Sequence, residues 1–139
     1  DSDGLYTALG DGLMIIRFMF GNSFTGVDLI SKAINPTSPL LVEQGLTSID
    51  AASHIRQHIQ IGIDSLALDV DRDGVVTPFG DGLMIIRYLL GSSFSGEPLI
   101  SKAISPDSFF IDSLQELSNS FSSNTLADMV AVNIDALMH

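Results

Sequence analysis

The sequence predicts an all-α fold built from two loop-helix repeats packed with additional helices in one domain, and three observations carry that prediction. The stretch GDGLMIIRFMFGNSFTGVDLISKAINP from Gly10 recurs as GDGLMIIRYLLGSSFSGEPLISKAISP from Gly80, with identity at about two thirds of the positions, too high for chance, so the chain holds two copies of one unit. Apolar residues recur at helical spacing in both copies. No stretch reads convincingly as a strand. The repeats divide the chain into residues 1–68 and 69–139.

Each copy opens with an acidic loop followed by a helix, Asp11 to Phe20 and Asp81 to Leu90, apolar at most positions except Arg17 and Arg87. Gly21 and Gly91 are natural helix stops. A short helix is predicted next, Val27 to Ile34 and Glu97 to Ile104, with Pro98 in the first turn, where proline is tolerated. Asn35-Pro36 and Ser105-Pro106 end it. Thr47 to Asp50 and Thr125 to Asp128 read as N-terminal caps with an acid in the first turn. The apolar stripes that follow are Ile49, Ala52, Ile55 and Ile59 in one copy and Leu126, Met129, Val130 and Ile134 in the other. Glu43 to Leu46 and Ile111 to Leu117 add further turns, and Ser118 to Ser123 is the clearest loop. The two units are expected to be related by an approximate twofold axis.

Composition bounds the function. A chain of 139 residues, 45% hydrophobic, can bury a core. Its mean hydropathy of +0.35 is high enough to point to apolar surface covered by another copy or a partner. Seventeen acidic against six basic residues give a net charge of -11, which repels nucleic acid and anionic membranes and favours cations. There is no cysteine, so neither a disulfide nor a thiolate metal site can form. The apolar run Leu13 to Phe20 is broken by Arg17 and is far below the roughly 20 residues that span a bilayer. With no initiator methionine and no signal-peptide pattern, the chain is expected to be a mature or excised piece of something longer.

The acidic loops carry the chemistry. The second places acids at its first, third and fifth positions, Asp69, Asp71 and Asp73, with Gly74 sixth, which is the opening of an EF-hand calcium loop. A hard cation takes six to eight oxygens at roughly 2.3–2.6 Å, and alternate residues of a tight turn point inward to supply them. Gly74 permits the bend, the Val75 carbonyl offers a backbone oxygen, and Thr77 stands where a side chain or water completes the set. The twelfth position, where an EF-hand has its bidentate acid, is Gly80, and Asp81 follows one residue later. The same shift occurs in the first copy, where Gly10 precedes Asp11, so Asp81 and Asp11 are read as closing ligands of loops with one inserted residue. Aligned on Gly4 and Gly74, the first loop offers Asp1, Asp3, the Leu5 carbonyl, Thr7 and Asp11, and its first ligand is missing. The tail from Ile134 to His139 aligns with Ile63 to Leu68, which would place the first Asp of another loop after His139.

The stretch DVDRDGVVTPFGDGLMIIRYLLG resembles a dockerin-type loop and helix, whose loops close with Asp. It is closer still to the DVDGDG-type repeats with a shifted aspartate found in large secreted proteins of marine bacteria and cyanobacteria. The resemblance implies extracellular calcium binding at two sites and, for dockerins proper, docking to a cohesin partner.

Other candidates carry weaker signals. His54 and His58 have a zinc-compatible spacing, but HIRQH lacks the glutamate of HExxH and has no third ligand, so exposed polar residues are expected. Arg17 and Arg87 are read as snorkelling surface residues in preference to carboxylate partners. Phe24 and Phe94 are expected to pack in the core in preference to forming a binding patch. No catalytic pair or phosphate-binding loop is recognisable. The sequence thus points to a non-enzymatic, secreted or cell-surface calcium-binding module that assembles with copies of itself in a filament, surface layer or adhesin. The alternatives are docking to a cohesin-like extracellular protein and a calcium-stiffened spacer. A nucleic-acid partner and a membrane span are not expected.

Overall fold

The computed structural model describes residues 1–118 and 120–139. Among them every regular element is helical. Each copy enters its first helix through a π-helical turn, Ala8–Gly12 leading into α1, Leu13–Met19, and Pro78–Gly82 leading into the equivalent helix of the second copy, Leu83–Leu89. The turns are closed by the Gly12 N–H on the Thr7 carbonyl at 3.1 Å and the Gly82 N–H on the Thr77 carbonyl at 3.0 Å. A π turn is one residue wider than an α turn. Asp11 and Asp81 lie inside these wider turns. Thr7 and Thr77 cap these turns, their hydroxyls accepting the Gly10 and Gly80 N–H groups at 3.0 and 3.1 Å.

After α1 the chain makes two 3₁₀ turns, Gly21–Ser23 and Gly26–Leu29, then α2, Pro39–Val42, and the long α3, Ser48–Asp64. The second copy continues from α4, Leu83–Leu89, through a 3₁₀ turn, Gly91–Phe94, to α5, Glu97–Ile100, α6, Phe109–Leu117, and α7, Ser123–Met138. The helices predicted to run to Ile34 and Ile104 stop earlier, because Lys32 and Lys102 both turn left-handed at φ 57°. That conformation breaks a helix at any L-residue. The predicted loop Ser118 to Ser123 includes Asn119, which lies outside the described residues, and α7 already begins at Ser123.

Thr47 caps α3 as expected, accepting the Asp50 N–H at 3.2 Å, but the cap of α7 is Ser122, accepting the Thr125 N–H at 3.1 Å. Counted from these caps the two helices bury matching positions, Ala51, Ala52, Ile55 and Ile59 against Leu126, Ala127, Val130 and Ile134. Ile134 is therefore the counterpart of Ile59, not of Ile63. Ile49 is 69% exposed and Ala51 takes its place in the core.

The copies share one core that includes Met14, Met84, Ile85, Val70, Val130 and Ile134. The reciprocal packing expected of a twofold relation is present. A Cβ on Gly12 would meet Ile86 Cγ1 and Leu89 Cδ1, and one on Gly82 would meet Met19 Sδ and Ile16 Cγ1. Arg17 and Arg87 neither snorkel nor meet carboxylates. Nη1 of Arg17 donates to the Leu29 and Ser31 carbonyls, and that of Arg87 to the Leu99 and Ser101 carbonyls. Phe24 and Phe94, half-buried, lie under these guanidinium groups at 5.5 and 5.8 Å. No helix among the described residues is long and apolar enough to cross a membrane.

Candidate metal centre

The second loop folds around its own carboxylates. Arg72 and Gly74 adopt positive φ, 55° and 90°, which curls the chain back on itself. Asp69 accepts the N–H groups of Asp73 at 3.1 Å and Gly74 at 2.9 Å, and Asp73 accepts that of Val75 at 2.8 Å. Asp81 closes the loop from inside the π turn, with Oδ1 accepting the Val70 N–H at 2.7 Å and Oδ2 the Thr77 N–H at 2.9 Å. Asp71 Oδ2 accepts the Ser105 N–H at 2.7 Å.

Asp69, Asp71 and Asp81 are all buried, and one carboxylate oxygen from each lies within 4.8 Å of the others. Two oxygens on opposite sides of one calcium ion stand at most about 5 Å apart, so this spacing suits a single ion. Asp71 is 2% exposed, and its Oδ1 has no hydrogen-bond partner. Buried carboxylate oxygens are rarely left so. An all-oxygen donor set is the choice of a hard cation, not of zinc with its preference for nitrogen and sulfur.

The electrostatics fit the same need. Burial pushes the Asp71 carboxyl up to about 7, helped by repulsion from Asp81, Asp73 and Asp69 and opposed by the Ser105 N–H. Burial likewise raises Asp81 to about 6, with the N–H groups of Thr77 and Val70 opposing and Asp69 adding repulsion. Without a cation the cluster is an expensive burial of like charges. A divalent ion would supply the counter-charge that protons otherwise provide.

Of the predicted ligands, the fold thus brings together Asp69, Asp71 and Asp81. Asp73 is only half-buried and stands outside that group, and Val75 is exposed. The Thr77 hydroxyl, half-buried, accepts the Gly80 N–H as a helix cap and keeps a second lone pair.

The first loop repeats the backbone pattern with a more open cluster. Asp3 accepts the Leu5 N–H at 2.9 Å, Asp11 the Thr7 N–H at 3.1 Å, and Asp1 the Asn35 N–H at 2.9 Å. The Asn35 side chain donates to Asp3 at 2.7 Å and holds its carboxyl below the usual range, with the Leu5 N–H adding to the effect. The α-amino group of Asp1 lies 3.0 Å from Asp11 Oδ1, and Asp11 is half-buried where Asp81 is 1% exposed. Leu5 and Thr7 are exposed.

Three supports of the site escaped sequence reading. The buried Ser108 hydroxyl donates to the Asp71 carbonyl while accepting the Phe110 N–H at 3.2 Å, so it caps α6 and pins the loop at once. Ser38 does the same in the first copy, donating to the Asp1 carbonyl at 2.5 Å and accepting from Leu40. Their matched places after Asn35-Pro36 and Ser105-Pro106 were the available signal. Asn133 on α7 donates to the carbonyls of Asp69 and Val70, at 3.4 and 2.9 Å, and nothing local marks it. His54 and His58 are exposed, as expected.

Compared with known proteins, the chain matches no protein-family model, no curated sequence and no solved structure.

Proposed function

We propose that this chain is a calcium-binding structural module of the extracellular space, dockerin-like in its loops and without catalytic activity. The observation that carries the reading is the buried, unpartnered Asp71 Oδ1 facing a cluster with Asp69 and Asp81. The second loop is the stronger site, with the Val75 carbonyl and Asp73 available to complete its shell. The first, with Asp1, Asp3, Asp11 and the Leu5 carbonyl, is the weaker. Affinity in the range of extracellular modules, roughly 10⁻⁴–10⁻³ M, suits a role in which abundant calcium holds the fold. Isothermal titration with calcium tests this directly: a chain that binds none, or an Asp71→Asn chain that binds as the parent does, removes the basis of the reading.

Self-assembly is the second part of the proposal, in preference to a cohesin-like partner or a spacer role. It is favoured by matched apolar side chains of the π turns left in solvent, Leu9 at 73% and Phe79 at 69% exposed, with the Phe79 ring edge-on to Phe20 at 5.3 Å. Exposed apolar clusters of this kind mark contact surfaces. Light scattering and electron microscopy with calcium and then with chelator decide among the three. Calcium-dependent polymers support assembly, and a monomer under both conditions argues against it.

A further inference from the structure

Residues 8–20 and 78–90 form two matched segments, each a π turn leading into α1 or α4. Each π turn packs on the C-terminal half of the other copy's helix, so the segments run antiparallel. One side of the pair faces the shared core, where Met14 and Met84 are buried. The other side is apolar and open. Leu9 and Phe79 project into solvent from the π turns, Leu90 and Phe20 are 48% and 39% exposed at the ends of α4 and α1, and the Phe20 and Phe79 rings meet from opposite copies. Between these ends the seam residues Ile16, Met19, Ile86 and Leu89 are only half-buried. The face is also neutral. The two segments contain two acids, Asp11 and Asp81, and two bases, Arg17 and Arg87, so the whole net charge of -11 lies outside them. Both arginines are turned onto backbone carbonyls, and neither acid is exposed.

We propose that this face is covered by the same face of a second copy, in a closed dimer. The inference rests on the self-assembly reading above and deepens it, since it names the surface and limits the assembly to two chains; no step of it depends on calcium. Charge selects the occupant. Two chains of this composition repel each other through the rest of their surface, and here they meet without bringing like charges together. A basic partner finds no exposed carboxylate on these segments to pair with. The area is sufficient: at about 200 Å² for a fully exposed side chain of this size, the four exposed residues offer roughly 450 Å² of apolar surface, close to the apolar share of the ~800 Å² that each partner gives to a standard interface. Phe20 and Phe79 are its aromatic anchors, the residue type that dominates such contacts. A face that pairs with itself makes an isologous contact, which closes with two chains and leaves no copy of the face free for a third.

The test is light scattering of the full chain over a dilution series in calcium, with Leu9→Asp, Phe79→Asp and, as a control on the exposed side of α7, Val132→Asp. The parent should approach twice the 14.9 kDa of one chain and no more. Leu9→Asp and Phe79→Asp should each weaken the dimer about tenfold or more, and Val132→Asp should leave it as in the parent. Circular dichroism melts show that each variant is folded, and NMR of the parent reads the face without any substitution: the Leu9, Phe20, Phe79 and Leu90 amides should shift on dilution while that of Val132 does not. A monomer at every concentration overturns both the dimer and the self-assembly reading. Polymers that grow without limit overturn the closed dimer and leave self-assembly standing. A dimer that folded Leu9→Asp and Phe79→Asp chains form as the parent does, that Val132→Asp weakens equally, or that leaves those four amides unmoved, overturns the face alone.

Discussion

Gly12 of the first copy lies against Ile86 of the second, so closely that a Cβ at Gly12 would stand 3.0 Å from Ile86 Cγ1; a Cβ at Gly82 would stand 3.2 Å from Ile16 Cγ1. A self-complementary contact of this kind is what a twofold relation produces. Each π turn thus packs on the other copy's helix, the turn that carries Asp11 on α4 and the turn that carries Asp81 on α1.

Gly12→Ala and Gly82→Ala each add a methyl group to that seam. Each should cost about 1–3 kcal/mol, the usual penalty for overpacking a close contact. Urea denaturation measures it. Because the two sites are related through one interface, the double variant should depart from additivity, and unchanged midpoints in both single variants would contradict the packing described.

Arg87 ties α4 to α5 and its C-terminal cap through the Leu99 and Ser101 carbonyls and covers the Phe94 ring. Arg87→Ala should lose about 2–3 kcal/mol, as expected for hydrogen bonds from a charged donor. Arg87→Lys should recover only part of it, since an ammonium lacks the planar guanidinium that stacks on the ring. The same order is expected at Arg17. Thermal unfolding of the four variants checks it.

Asp71→Asn should move stability in opposite directions with and without calcium. In chelator the variant should melt higher than the parent, because it removes a carboxylate whose charge is disfavoured first by burial and then by repulsion from Asp81, Asp73 and Asp69. If the proposed calcium site is right, in calcium it should melt lower, because that site would lose a carboxylate and its affinity would fall by about tenfold or more. Calorimetry in both buffers reads the two signs.

The metal-free chain should be more stable in mild acid than above neutrality. Free carboxyls titrate near 3.8, while burial raises Asp71 to about 7 and Asp81 to about 6. Between pH 4 and 7 the folded chain therefore holds protons that the unfolded chain has released, and stability falls as pH rises through that window. On the proposed calcium reading the ion would compete with protons for the same oxygens, so saturating calcium should weaken or reverse the trend. Melting temperatures at pH 5 and 8, with chelator and with calcium, test the prediction.

Much of this protein is legible in its sequence because the signals are local. The repeat, the starts of α1 and α4, the acids of both loops and the one-residue shift of Asp11 and Asp81 all follow from spacing along the chain. Periodicity and turn chemistry act over a few residues. Ile49 shows the limit of that reasoning: it has helical spacing with Ala52, yet the face that α3 presents is set by what packs on it, and Ala51 is buried instead.

The tertiary structure decided the rest. That Lys32 and Lys102 turn left-handed, that Arg17 and Arg87 hold carbonyls, and that Ser108 and Asn133 grip the loop at Asp71 and Val70 are facts about groups brought together from distant parts of the chain. So is the difference between the two loops. Their acids are spaced alike, but Asp81 is buried beneath a segment that Asn133 holds down, and Asp11 is half-buried. The sequence determined which oxygens each loop offers. Burial and hydrogen bonding between distant parts of the chain, which no local pattern encodes, determined that Asp69, Asp71 and Asp81 converge and that Asp71 Oδ1 is left without a proton donor.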